Sequence, residues 1–239
     1  MTACRTEVHH RVLRCSLGFY DQFVTGELNG EGFQTWWDWE EEAFRYGVDP
    51  DVSREEPRGS PQQPIGDPMF TILEVLTIVI MPAMVALMVA VHAWAPMHAK
   101  TLSLTSVVFM GLLAGLTCIV HFCILTLSRQ PEFTGQSWLP LVMSFNWPSV
   151  AYALDILAWD VFFPLSMLFA APVFRGSRLA AWIRVLMSAS GVLALAGLSG
   201  VVVGDMQLRN IGIVGYVGVF LVVAALLAVL FYRATPLEA

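Results

Sequence analysis

Charge is what this 239-residue sequence has least of. Only 13% of its residues are Asp, Glu, Lys or Arg, about half the share usual in a soluble domain. Lysine is scarcer still. Lys100 falls between apolar runs, so no run offers the buried lysine that a retinal Schiff base requires. The first residues, MTACRTEVHHRVLRCSLGFY, lack the apolar stretch of a secretory leader, and insertion is expected to rely on the first membrane helix. There is no HExxH for a zinc protease, no glycine-rich phosphate loop and no basic patch for nucleic acid.

The cysteines are equally uninformative about redox chemistry. Cys4, Cys15, Cys118 and Cys123 form no pairing pattern, and the last two lie in an apolar run where a thiol behaves as a small hydrophobe. Cys118 and His121 share a helical face, but Cys123 points about 160° away from His121 on a helix of 100° per residue. Two ligands are too few for a structural zinc site. His92 and His121 fall near opposite sides of the membrane, since their runs are antiparallel, and within one chain cannot ligate one haem from both faces. No cofactor or metal is expected.

What is abundant is apolar surface, at 56% of residues. The charge that exists is unevenly placed. Residues 1–67 carry 13 acids and 6 bases, a net of −7. Residues 68–239 carry 6 acids and 7 bases, a net of +1, which together give the overall −6. The chain thus divides into an acidic tail and linker, 1–67, and a near-neutral apolar body, 68–239. Within the tail, QTWWDWEEEAFRYGVDP predicts a short helix, with Thr35 as N-cap and Gly47 and Pro50 as its stop. Its aromatics suit a lid, a partner-docking helix or an interfacial helix resting on headgroups. Residues 50–67 have a linker's composition.

The body contains five apolar runs, near 69–94, 103–126, 149–172, 179–203 and 211–231. Each can span the hydrocarbon, which takes about 20 helical residues. The runs do not alternate, so strands are excluded. The expected fold is all-α, a polytopic transmembrane bundle of about five spans behind an acidic, mostly irregular tail with one short helix. No internal repeat is visible. The chain resembles small bacterial integral membrane proteins, which makes the bacterial cytoplasmic membrane the expected location. Five spans put the tail and the loops 127–148 and 204–210 on one side, A. Lys100, Arg175, Arg178, Arg184 and Arg233 lie toward the other side, B, which the positive-inside rule makes cytoplasmic. Small residues at spacings of four and three (Ala196, Gly200 and Gly204; Gly212, Gly215 and Gly218) predict close packing of the last two runs.

The third run is the one around which the others are expected to gather, because it holds two carboxylates, Asp155 and Asp160, and a proline, Pro164. Carboxylates in hydrocarbon are costly and rarely face lipid. Glu74, His121 and Asp155 each lie five or six residues from side A, about 8–9 Å deep at 1.5 Å per residue. A carboxylate beside a neutral histidine can share a proton, so these three predict a polar pocket or proton-exchange cluster; a purely structural acid–histidine contact is the alternative. Asp160 lies eleven residues into its run, near the midplane. Pro164 cannot donate to the Asp160 carbonyl, nor Pro82 to that of Ile78. Freed carbonyls and a carboxylate at one depth suit a small cation; a protonated, packed Asp160 is the alternative. A cation- or proton-binding Asp160 predicts a folded but inactive Asp160→Asn protein; the packed alternative predicts a folded, active one.

Two functions fit these residues. One is transport or sensing of a proton or small cation, with Glu74, His121, Asp155 and Asp160 as binding groups. The other is a non-catalytic scaffold whose Trp-rich acidic tail recruits a protein partner, or a homo-oligomer. An enzyme is disfavoured because no nucleophile–base pair can be assigned. The lipid bilayer is the expected partner, and nucleic acid is not.

Overall fold

The computed structural model describes residues 68–133 and 136–233. The tail helix, the linker and the partner-recruiting role assigned to residues 1–67 lie outside them. Among the described residues the regular structure is entirely helical, with no strand. Five helices among the described residues are long and apolar enough to cross a membrane: Met69–Trp94, Met97–Leu127, Val150–Val173, Arg178–Val203 and Met206–Arg233, named here the first to fifth spans. This is the architecture of a multi-pass membrane protein. Helices are the form such a chain takes, because within hydrocarbon each backbone donor and acceptor must be satisfied inside its own segment.

The ends of the spans are set by identifiable caps. At the close of the first span, Lys100 Nζ donates to the carbonyls of His92 (2.6 Å) and Ala93 (3.2 Å). A cation there satisfies carbonyls that have no partner within their own helix. Lys100 therefore belongs to the second helix, as its first residue, and not to a loop. The third span is entered through Ser149, whose hydroxyl accepts from the Tyr152 amide at 3.1 Å, an N-cap contact. Ser177 does the same for the fourth, accepting from Ala180.

The third span is the most enclosed of the five: 56% of its apolar window is buried, against 28–33% in the others. It is also the least regular. An α-helix over Val150–Ile156 widens into a π-helical turn at Leu157–Phe162 and resumes as α over Phe163–Ala170. Pro164 explains the change, since it withholds the donor that the Asp160 carbonyl would use. The Phe163 amide bonds instead to the carbonyl of Ala158, five residues back. The fifth span has a similar turn at Val214–Val219, where the Ser190 hydroxyl takes the Gly215 carbonyl at 2.8 Å.

The chain forms two compact units. In one (82–115 and 156–233 of the described residues), the fourth and fifth spans meet through glycines. A Cβ on Gly215 would lie 2.7 Å from the Ser190 carbonyl, and one on Gly197 3.0 Å from the Gly212 Cα. Gly218 faces open space, and Gly204 ends its helix with φ +80°. Only part of the predicted small-residue stripe is therefore packing. Ser106 and Ser166 pair at 3.0 Å within this unit, and Trp159, Phe163, Tyr216 and Phe220 form a ring cluster. Interhelical hydroxyl bonds in bilayers are weak, so Ser190→Ala is expected to cost about 0.6 kcal/mol; thermal unfolding in detergent would measure it. The other unit (68–81, 116–133 and 136–155 of the described residues) has a core of Phe70, Val120, Ile124 and Ala151, with Leu116, Phe145 and Leu154 against it.

Candidate functional site

Glu74, His121 and Asp155 come together in the second of these units. His121 Nδ1 lies 2.8 Å from Glu74 Oε2, and its Nε2 lies 3.8 Å from Asp155 Oδ1. The first contact is a hydrogen bond; the second is an ionic approach beyond hydrogen-bond length. Helical periodicity accounts for the meeting. Glu74 is five residues from the start of its span, His121 six from the end of its own, and Asp155 five from Val150, so all three sit about 8–9 Å from the same ends.

The three groups are largely enclosed, with polar side chains at the rim. The side chains of Glu74, His121 and Asp155 retain only 5%, 11% and 13% of their exposure. The Phe145 ring lies 5.1 Å from the imidazole. Thr71, one turn outward from Glu74, accepts from Arg129 Nη1 at 2.9 Å, and that exposed guanidinium lies over the Phe70 ring at 5.4 Å. Chemically, this is an imidazole with a carboxylate beside each nitrogen. Such a ring can take a proton at one nitrogen and release one from the other. The low-dielectric setting strengthens each contact in either protonation state.

Asp160 belongs to the other unit, and its partner is Arg209. Arg209 Nε donates to Asp160 Oδ2 at 2.9 Å, with both residues buried. The carboxylate rests against two glycines: a Cβ on Gly197 or Gly212 would lie 3.0 or 2.7 Å from Oδ1. The tip of the fourth–fifth hairpin positions the arginine. Asp205 accepts from the Gln207 amide at 3.0 Å, capping the 3-10 turn Met206–Arg209. Gly200 allows the Arg209 backbone to approach closely. Gly197 is six residues from Val203, and Gly212 six from Met206, so the carboxylate lies about 9 Å from the hairpin tip. The charge beside Asp160 is the protein's own guanidinium.

Arg209 is the residue that sequence reasoning missed. The sequence puts it in the loop 204–210 on side A. The available signal was a single cation just ahead of an apolar run, flanked by Gly200, Gly204 and Gly212. Among the described residues, no group of three or more His, Cys, Asp or Glu side chains is placed to hold a metal ion. Cys118 and Cys123 are free thiols. No family model, curated protein or solved structure matches this chain.

Proposed function

We propose that the protein is a cell-membrane transporter or sensor of a proton or small cation, working through Glu74, His121 and Asp155. The supporting observation is the imidazole set between two carboxylates inside apolar spans. Ionisable groups at such positions are costly to keep and tend to mark ion or proton pathways. In this reading Asp155, the most exposed of the three, exchanges protons with water. His121 passes charge between it and Glu74. Asp160 and Arg209 serve as a fixed pair that joins the third span to the fourth–fifth hairpin. By the positive-inside rule, the end carrying Lys100, Arg175, Arg178, Arg184 and Arg233 faces the cytoplasm, and the cluster opens to the opposite side.

The test is proton movement in vesicles. Purified protein reconstituted with a trapped pH dye is given a pH step, and decay of the gradient is followed. Wild-type protein is expected to speed the decay. His121→Gln, which keeps a polar side chain but not a transferable ring proton, is expected to slow it by about 100-fold or more, the scale of a lost acid–base group. Equal rates for wild-type and His121→Gln vesicles would refute the assignment.

A further inference from the structure

The side-B end of the spans carries Lys100, Arg175, Arg178, Arg184 and Arg233, and no carboxylate among the described residues. Glu74, Glu132, Asp155 and Asp205 lie toward side A, and Asp160 is paired with Arg209. Lys100 is committed to the carbonyls that close the first span. The four arginines are different. Their side chains make no hydrogen bond or ion pair among the described residues. All four are exposed, and all belong to the same compact unit.

Arg184 is the most demanding of them. It lies six residues beyond Arg178, where the fourth span begins, and so about 9 Å inside it. On a helix of 100° per residue, Arg178, Ala181, Trp182, Arg184 and Val185 share an arc of about 160°, and each is exposed. Trp182 and Val185 keep 63% and 57% of their exposure. Ile183, Met187 and Ser190, on the opposite face, are fully buried. The arginine arc therefore faces the bilayer and not a neighbouring helix of this chain. An ionisable group at such a depth ordinarily turns into the bundle and pairs there. Arg184 does neither. Its Cα–Cβ bond tilts toward the start of its helix, which directs the long side chain back toward the side-B surface and the headgroups. Ala181 lies between the two arginines around the helix, about 60° from each, and its methyl leaves room between them.

We propose that this face of the fourth span binds the headgroup of an anionic phospholipid, with Arg178 and Arg184 on its phosphate and Trp182 beside it at the interface. Arg175 and Arg233 add positive charge at the same end. Charge complementarity selects the occupant. A guanidinium takes phosphate oxygens in a two-pronged grip, and basic side chains at a membrane surface attract anionic lipid. Tryptophan favours the headgroup level. A soluble phosphate would meet Arg175 in water but would have to enter the bilayer to reach Arg184. A second copy of the chain has no described carboxylate to offer at this end. The acidic residues 1–67 precede the first span on side A, and Glu238, which follows the fifth span, can offset only one charge. Lipid binding here is independent of any exchange at His121.

Displacement of a fluorescent phosphatidylglycerol from the full-length protein in neutral detergent tests the site. Unlabelled phosphatidylglycerol is expected to compete about 25-fold better than phosphatidylcholine of the same chains, at about fivefold for each of Arg178 and Arg184. Raising the salt is expected to narrow the difference. Arg178→Gln/Arg184→Gln is expected to abolish it while thermal unfolding stays unchanged, because both side chains are exposed. Equal competition by the two lipids in wild-type protein overturns the proposal, whether or not the variant folds. So does an undiminished preference in a folded double variant. Displacement of the probe by inorganic phosphate alone would assign the arginines to a soluble anion instead. A wild-type dimer that shows no lipid preference, and that the double variant dissociates, would assign the face to a second copy.

Discussion

Asp160→Asn is expected to destabilise the protein by about 3–5 kcal/mol, the cost of removing one partner from a buried ion pair. The sequence alone implied the opposite, a variant that stays folded because a lone buried acid had been neutralised. Arg209 reverses the sign. Its Nε donates to the Asp160 carboxylate at 2.9 Å, and neither residue has appreciable exposure. The two partners are not equivalent in what they leave behind. A carboxylate that loses its arginine can take up a proton and become neutral. A guanidinium that loses its carboxylate cannot shed its charge at any pH the protein survives. Arg209→Met is therefore expected to cost less than Asp160→Asn. The double variant Asp160→Ala/Arg209→Met, which removes both charges, is expected to recover most of the loss, as buried pairs replaced by apolar groups generally do. Denaturant unfolding in one detergent would rank the three. An Asp160→Asn protein as stable as wild type would mean that water reaches the pair.

Much of this arrangement was legible in the sequence because hydrocarbon imposes a length and a periodicity. The five spans follow from uninterrupted apolar runs. The meeting of Glu74, His121 and Asp155 follows from counting residues inward from the same side. Both deductions depend on helices being regular and on their ends being level. They fail where either condition fails. The second span begins before residue 103 because Lys100 caps the preceding helix instead of remaining in water. The fifth begins at Met206, ahead of its apolar run, because Arg209 turns inward to Asp160. Pro164 announced a break but not its form, since a π-helical turn and a kink both spare the missing donor.

Gly212→Ala tests the same ion pair from the opposite helix, and its effect is expected to depend on whether the carboxylate is present. In the native protein the new methyl would sit 2.7 Å from Asp160 Oδ1 and 3.3 Å from both the Ala194 carbonyl and the Gly197 Cα. Arginine fixes the carboxylate from one side, so the helices must part or the pair must loosen. Overpacking of this kind costs about 1–3 kcal/mol, with part of the ion-pair energy added if Oδ2 moves off Arg209. Gly215→Ala provides the comparison. Its methyl would meet the Ser190 carbonyl at 2.7 Å and the Ala194 amide nitrogen at 2.9 Å, so it wedges the fourth and fifth spans apart without touching Asp160. Gly218→Ala, with nothing within 4 Å, is the neutral control. All three are then repeated in the Asp160→Ala/Arg209→Met background. Residues in contact couple and separated ones add. The Gly215→Ala penalty is expected to persist there. The Gly212→Ala penalty is expected to shrink or change sign, because the methyl then occupies room vacated by the carboxylate. If Gly212→Ala costs the same in both backgrounds, the clash is with the Gly197 and Ala194 backbone, and Gly212 is no part of the carboxylate's cradle.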